Sequence, residues 1–341
     1  MIRTPWWARL ATAAGTLLLL PAAGAVAATA ATVISGPVNL LLVGIDPRGS
    51  HTKPLADTIM IAHIPTDRRG VYLFSLPRDL VMQIPAYPVN NTPTQRAKIN
   101  AAMALGSRTG PDRYDTAQGF GLLSRAVGRV TGIRKFQAGA VLNFGGFRTL
   151  INTLGGVTMA IDQDVVSEHL KPDGRPRDRK PECRGHDNCP RPYIGVQKTY
   201  HKSPIAVRLQ GWEALDYVRQ RYGLPRVDYD RQRHQRQLVT ALSVQTARSV
   251  AADPARLPKV ITTLGSSLTF VGDTGSALAW AVALKNLRLN KPISVTLPGS
   301  AYFEKGVYLG EKLDPPARDF FAAVNRDRVA LYLAEHRRLV D

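Results

Sequence analysis

Acidic residues and cysteines are scarce in this 341-residue chain. It holds 26 aspartates and glutamates against 45 lysines and arginines, a net charge of +19. That excess favours polyanionic partners: nucleic acid, anionic lipid, phosphorylated glycan or an acidic wall polymer. Two cysteines, Cys183 and Cys189, exclude a multi-cysteine metal scaffold. The seven histidines stand apart without ligand spacing, and no H-E-x-x-H occurs. There is no Walker A loop, no G-x-G-x-x-G behind the first strand and no G-x-S-x-G. Zinc-hydrolase and serine-hydrolase chemistry therefore lack their usual carriers. No repeat of about 20 to 50 residues is visible.

Charge is missing altogether from Leu10 to Ile34, a run of 25 uncharged and mostly apolar positions. As a helix it is long enough to span a bilayer. Arg3 and Arg9 precede it beside Trp6 and Trp7, which keeps residues 1–9 cytoplasmic. The expectation is a single-pass anchor at residues 10–34 in the cell membrane, with an extracytoplasmic domain over residues 36–341. Ala25-Val26-Ala27 resembles a signal-peptidase site, so cleaved secretion is the alternative. Either way the body is exported, which argues against a DNA-binding role.

Beyond that run, strands and helices interleave. Val38 to Ile45 is a short apolar run suited to a strand buried on both faces. Thr58–Ile64 and Val71–Leu76 read as a hairpin, and Leu80–Ile84 as a short edge strand. Gly119–Thr131, Phe147–Leu154 and Gly211–Arg219 have helical spacing. Ala138–Asn143, Val157–Ile161 and Ile293–Leu297 read as strands. Further helices are expected from about Pro254, around Ser276–Leu287 and over Pro316–Arg338. The fold class is α/β: one domain with a mixed central β-sheet between helical layers. Residues 163–204 break the pattern as a polar, proline-rich insertion of the kind that forms a lid. Cys183 and Cys189 enclose five residues of it, and export makes a disulfide the expected state. His186 between them leaves a metal alternative.

The densest charge lies from Arg219 to Arg236, which holds six arginines and two aspartates. Asp228 suits an N-cap, with helix from Tyr229 to about Val250. At helical phase Arg231, Gln235, Leu238 and Leu242 share one face, while Arg233, Arg236 and Thr240 fall on the other, with Arg233 and Arg236 assigned to solvent. Inward arginines need an anion. Arg219, Arg221, Arg231 and Gln235 thus suggest a partly buried phosphate site, because guanidinium binds phosphate bidentately. A solvated basic helix face is the other reading. Asp46 follows the first strand and Asp57 precedes the second. If those strands are neighbours, the two carboxylates converge as Mg²⁺ ligands; otherwise both are turn residues. Arg78 sits just past the third strand, either at the site or in a surface pair with Asp79. Lys98 reads as a site cation or as a solvated lysine.

Several stretches together resemble the LytR-CpsA-Psr family of bacterial envelope proteins. They are N-L-L-L-V-G-I-D-P-R-G, A-D-T-I-M, L-F-S-L-P-R-D-L, K-I-N-A-A, G-F-R-T-L-I-N-T-L-G-G-V-T-M-A-I-D and L-Q-G-W-E-A-L-D-Y-V-R-Q-R with D-Y-D-R-Q-R-H-Q-R-Q. The resemblance spans about residues 38 to 240 and implies a Mg²⁺-dependent (or Mn²⁺-dependent) phosphotransferase. Such enzymes move a glycopolymer from a polyprenyl-pyrophosphate carrier onto peptidoglycan at the membrane, with no nucleic acid involved. By motif position, Asp46 and Asp57 match the metal-associated aspartates and, with Arg78, the catalytic set. Arg78, Lys98, Arg219, Arg221, Arg231 and Gln235 match the pyrophosphate clamp, with Asp228 in support. Leu55 departs from the arginine that many members carry two residues before the A-D-T aspartate, and Lys53 is displaced from it by two. A non-catalytic binder or a pyrophosphate hydrolase of polyprenyl-linked glycans is the alternative. The apolar faces of Gly119–Thr131 and Leu238–Val250 would either line a slot for the polyprenyl tail or belong to the core.

Overall fold

The computed structural model describes residues 35–46, 52–184, 189, 191–286 and 292–341. The expected anchor at 10–34, Pro47, Arg48 and Gly49 of the N-L-L-L-V-G-I-D-P-R-G stretch, and His186 lie outside the described residues. No described helix is long and apolar enough to cross a membrane.

The first apolar run forms β1 (Val38–Ile45), followed by β2 (Ala56–Ile64) and β3 (Tyr72–Leu76). They are the centre of a six-stranded sheet ordered Leu268–Gly272, Ala138–Asn143, β1, β2, β3, Ile293–Val295. β1 runs parallel to Ala138–Asn143 and antiparallel to β2, and β3 runs parallel to Ile293–Val295. The sheet is therefore mixed, with β2 and β3 forming the expected hairpin.

Both faces of the sheet are covered, as the unbroken apolar character of β1 requires. On one face Leu41, Val43, Ile59, Ile61 and Phe74 pack with helices α1 (Ala101–Ser107) and α2 (Thr116–Thr131). Leu122, Leu123, Ala126 and Val127 of α2 are fully buried there. These four residues of α2 are thus core, while Phe120 and Gly128 of the same helix line a cavity with Ile133 and Phe136. Leu238 and Leu242 are likewise core residues of a second cluster. Gly119 lets α1 and α2 approach closely: a Cβ there would lie 2.0 Å from Ser107 Oγ and 2.6 Å from the Met103 carbonyl. On the opposite face Met60, Ala62, Ile64 and Leu73 meet Trp280 and Val239.

The second cluster joins α3 (Phe144–Thr153), α4 (Gly211–Tyr217) and α5 (Asp228–Ala252) to a pair of strands, Val157–Ile161 and Ser203–Leu209. α5 thus lies between this cluster and the main sheet, packing on Val157–Ile161, β3 and Ile293–Val295. After α6 (Arg256–Leu264) and α7 (Ala277–Asn286) comes a hairpin, Gly299–Glu304 with Val307–Leu313, that the periodicity did not reveal. The expected helix over Pro316–Arg338 is two, α8 (Pro315–Asn325) and α9 (Val329–Glu335). Asp327, at φ 56° in the left-handed region, breaks the chain between them.

The 163–204 insertion is tied down at its root. Asp216 of α4 accepts hydrogen bonds from Ser167 Oγ (2.9 Å), Tyr200 Oη (2.9 Å) and Gln220 Nε2 (2.7 Å). Cys183 and Cys189 are joined in a disulfide, with Cα atoms 5.5 Å apart.

Candidate functional site

β1, β3 and Ala138–Asn143 run in one direction, so their carboxyl ends open on the same side of the sheet. Ligands of open α/β sheets bind at such ends. Asp46 directly follows β1. Asp57 lies at a bulge: the register passes from Gly44↔Thr58 to Ile45↔Ala56, which leaves Asp57 as the extra residue. A bulge re-aims its side chain out of the ladder. Arg78 follows Pro77 at the end of β3. The first turn of α5 adds Asp228 and Arg231, and Gln235 stands one turn further on.

Pairing inside this set is dense. Arg78 donates a short hydrogen bond to Asp57 Oδ1, and its Nε lies 3.7 Å from Asp79 Oδ2. Lys98 Nζ sits 3.1 Å from Asp79 Oδ1. Arg219 donates to Asp46 Oδ2 at 2.9 Å and covers the Phe144 ring, 4.4 Å from its centroid. Arg231, only 4% exposed, is 2.8 Å from Asp228 Oδ1. Arg221 is half-buried, and its guanidinium makes no hydrogen bond or ion pair with a described residue.

Charge coupling binds the set further. Burial lowers the pKa of Arg231; Asp228 opposes that shift, and the like charge of Arg78 reinforces it. Burial works against Arg78 too, but Asp57, Asp228 and Asp79 outweigh it and raise its pKa. Asp228, which burial alone would push up, is held below the usual carboxylate range by Arg231 and Arg78. Four cations (Arg78, Lys98, Arg219 and Arg231) thus meet four carboxylates (Asp46, Asp57, Asp79 and Asp228), and Arg221 joins none of these pairs.

The pairing is incomplete where it is most buried. Arg78 Nε, Arg231 Nε and Gln235 Oε1 are buried without a hydrogen-bond partner. Gln235 Nε2 reaches only the Val218 carbonyl, at 3.4 Å. Orphaned polar atoms are rare in protein interiors, and a group of them calls for a polar ligand. Guanidinium donors match an anion with several oxygens, such as phosphate.

Asp46 and Asp57 are still partly open, with side chains 20% and 18% exposed. Two carboxylates beside guanidinium groups that could hold a phosphate would be a fitting oxygen donor set for a hard divalent cation. Among the described residues no group of three or more histidines, cysteines or acids gathers as a ligand cluster. Leu55 is exposed, at 42%, and offers phosphate no polar group.

Two expectations need correction. Asp228 is not the N-cap; Val227 holds that place with φ 45°, and Asp228 is the first helical residue, turned onto Arg231 and Gln232. Arg233 and Arg236 do not face solvent. Arg236 is 1% exposed and donates to Ser294 Oγ and Asp341 Oδ2, both at 2.7 Å. Arg233 is held by Asp162 at 3.0 Å and Asp230 at 3.5 Å. The cause is the position of α5 between two packed layers, which leaves its first turns without a water-facing side.

Sequence reasoning left three parts of the site unassigned. Asp79 links Arg78 to Lys98, a role its place beside Arg78 could have suggested. Phe144 carries the Arg219 guanidinium. Glu311 accepts from Tyr229 Oη at 3.2 Å and from Tyr308 Oη at 2.8 Å. Nothing local in the sequence marks Glu311, because the 299–313 hairpin reaches the site only through the fold.

The model of the LytR_cpsA_psr family matches residues 25–313. The polyisoprenyl-teichoic acid–peptidoglycan teichoic acid transferase TagT of Bacillus subtilis (strain 168) is 24% identical over 280 residues, 79% of this chain and 70% of TagT. The cell wall biosynthesis protein LcpA of Corynebacterium glutamicum is 25% identical over 300 residues, 80% of this chain but 52% of LcpA. The chain thus spans about half of LcpA's length. Among solved structures, protein gbs0355 from Streptococcus agalactiae superposes with a TM-score of 0.63 at 18% identity, covering 86% of this chain and 88% of that one. TagT bound to LI-WTA gives 0.58 at 21% identity, with 86% and 90% covered. At these identities the two structures establish a shared α/β fold.

Proposed function

This chain belongs to the LytR_cpsA_psr family, and we propose that it is a phosphotransferase that moves a glycopolymer from a polyprenyl-pyrophosphate carrier onto peptidoglycan. The observation that carries the reading is the set of buried, unpartnered donors on Arg78 and Arg231 beside the Asp46 and Asp57 carboxylates. TagT, a relative, is named for the transfer of teichoic acid to peptidoglycan.

Phosphoryl transfer needs positioning and charge neutralisation more than covalent help. Arg78 and Arg219 would turn from Asp57 and Asp46 to the phosphate oxygens, Arg231, held in place by Asp228, would offer its Nε–H, and Arg221, Lys98 and Gln235 would complete the clamp. An acceptor hydroxyl attacks the phosphorus that bears the glycopolymer. The bond from that phosphorus to the bridging oxygen breaks, and polyprenyl phosphate departs with the bond's electrons. Asp57 or Asp46 takes the hydroxyl proton. Asp46 and Asp57 would also hold Mg²⁺ or Mn²⁺, which when bound neutralises charge on the phosphates. In this reading residues 10–34 anchor the chain in the cell membrane and residues 36–341 lie outside it. The uncharged run behind Arg3 and Arg9 supports that placement.

The test is incubation of the purified chain with a polyprenyl-pyrophosphate-linked glycan, Mg²⁺ and peptidoglycan fragments. Polyprenyl phosphate is expected only when the acceptor is present. Release without acceptor would make the chain a hydrolase, and donor binding with no release a binder; either result overturns the proposal.

A further inference from the structure

The Gly299–Glu304 and Val307–Leu313 hairpin, which touches Asp79 and Lys98 of the charged cluster, carries exposed apolar side chains. Phe303 is 58% exposed, Val307 60% and Tyr308 45%. Phe303 and Tyr308 are direct cross-strand partners with ring centroids 5.7 Å apart. Contiguous exposed apolar surface marks a binding site more often than scattered single residues do.

The patch is fixed to the site. Glu311 N donates to the Asp79 carbonyl at 2.9 Å. Gly310, at φ +149°, comes so close that a Cβ would lie 2.2 Å from the same oxygen. Lys98 Nζ stands 5.6 Å from the centroid of the Tyr308 ring and 3.1 Å from Asp79. A chain of contacts therefore leads from Asp57 through Arg78, Asp79 and Lys98 to Tyr308 and Phe303.

We propose that this hairpin is the acceptor-glycan subsite, with Phe303 and Tyr308 stacking on a pyranose of the peptidoglycan strand. The inference rests on the transferase reading above. A pyranose offers a C–H face that packs on an aromatic ring and a rim of hydroxyls that needs polar partners. The rim of the patch supplies them: Glu304 with Arg96 at 2.9 Å, Arg96 with Tyr302 Oη at 2.7 Å, and Glu311. Arg96 is taken up by Glu304 and Lys98 by Asp79, so the platform suits a sparsely charged saccharide and not a polyanionic donor polymer.

The test is titration of the full chain with a peptidoglycan-derived tetrasaccharide and, separately, with a short-chain polyprenyl pyrophosphate. Phe303→Ala and Tyr308→Ala are expected to weaken tetrasaccharide binding by about tenfold each, and Phe303→Ala, which touches no residue of the clamp, to leave lipid pyrophosphate binding unchanged. Phe303→Tyr should retain binding and Phe303→Leu should lose it, since the ring and not apolarity is at stake. No tetrasaccharide binding by the parent chain, no effect of either alanine, or equal loss of both ligands would overturn the subsite. If tetrasaccharide binding depends on Phe303 but no polymer is transferred, the transferase reading falls and the subsite stands.

Discussion

Arg221 and Arg231 bring the same charge to one site on different terms. Arg231 is buried against Asp228, so Arg231→Ala strands a carboxylate that is itself 8% exposed. Loss of one partner of a buried pair costs about 3 kcal/mol, and urea unfolding of Arg231→Ala should show a loss of that order. Arg221 has no such partner among the described residues. Arg221→Ala should therefore leave the unfolding midpoint in place while weakening short-chain polyprenyl pyrophosphate binding by about tenfold, measured by titration calorimetry. A third residue-level test concerns Asp162. Burial alone would raise its pKa, but hydrogen bonds from His234 and Gln237 and the charge of Arg233 bring it down from 3.8 to about 2. Because the folded value is the lower one, the stabilisation is fully present above the unfolded value and is lost as pH falls through the folded one. It amounts to about 2 kcal/mol. The stability gap between the parent chain and Asp162→Asn should therefore narrow as unfolding is measured from about pH 5 down to about pH 2.5. At this scale the inward pair Arg231 and Gln235 was legible from helical phase. Arg236 was not, because phase gives an angle around the helix and not how many sides are covered.

Among the elements, α5 and the 299–313 hairpin bring the charged groups together. α5 delivers Asp228 and Arg231 at its first turn, immediately after Val227 in a left-handed conformation. The hairpin abuts Asp79 through Gly310. Gly310→Ala puts a methyl group against the Asp79 carbonyl at a φ that L-residues avoid. The variant is expected to shift the hairpin off Asp79, lowering both the melting temperature and the rate of glycan transfer. An unchanged rate at the acceptor concentration of half-saturation would show that the hairpin's register is immaterial. Elements with a strong apolar pattern were readable from sequence: Ala138–Asn143 and Val157–Ile161 stand at the expected residues. The hairpin was not. Its strands mix Tyr302, Glu304, Lys312 and Glu311 with apolar residues, and Phe303, Val307 and Tyr308 face water instead of a core.

For the whole molecule, the mixed sheet was legible because β1 is apolar on both faces and therefore needs two covering layers. The 163–204 insertion was legible as irregular, but its attachment to Asp216 was not, since Ser167, Tyr200 and Gln220 meet only in the fold. Three strand ends, the start of α5 and the hairpin converge on one patch of cations, and this convergence gives the proposed chemistry its location. The most direct test of that chemistry is ³¹P analysis of the junction formed when the purified chain joins a pyrophosphate-linked glycan to peptidoglycan. Phosphoryl transfer leaves one phosphorus as a phosphodiester in the junction and carries the other away on polyprenyl phosphate. A junction without phosphorus, with both phosphates still on the lipid, would mean that the chain transfers sugar and not phosphoryl groups, and would contradict the account.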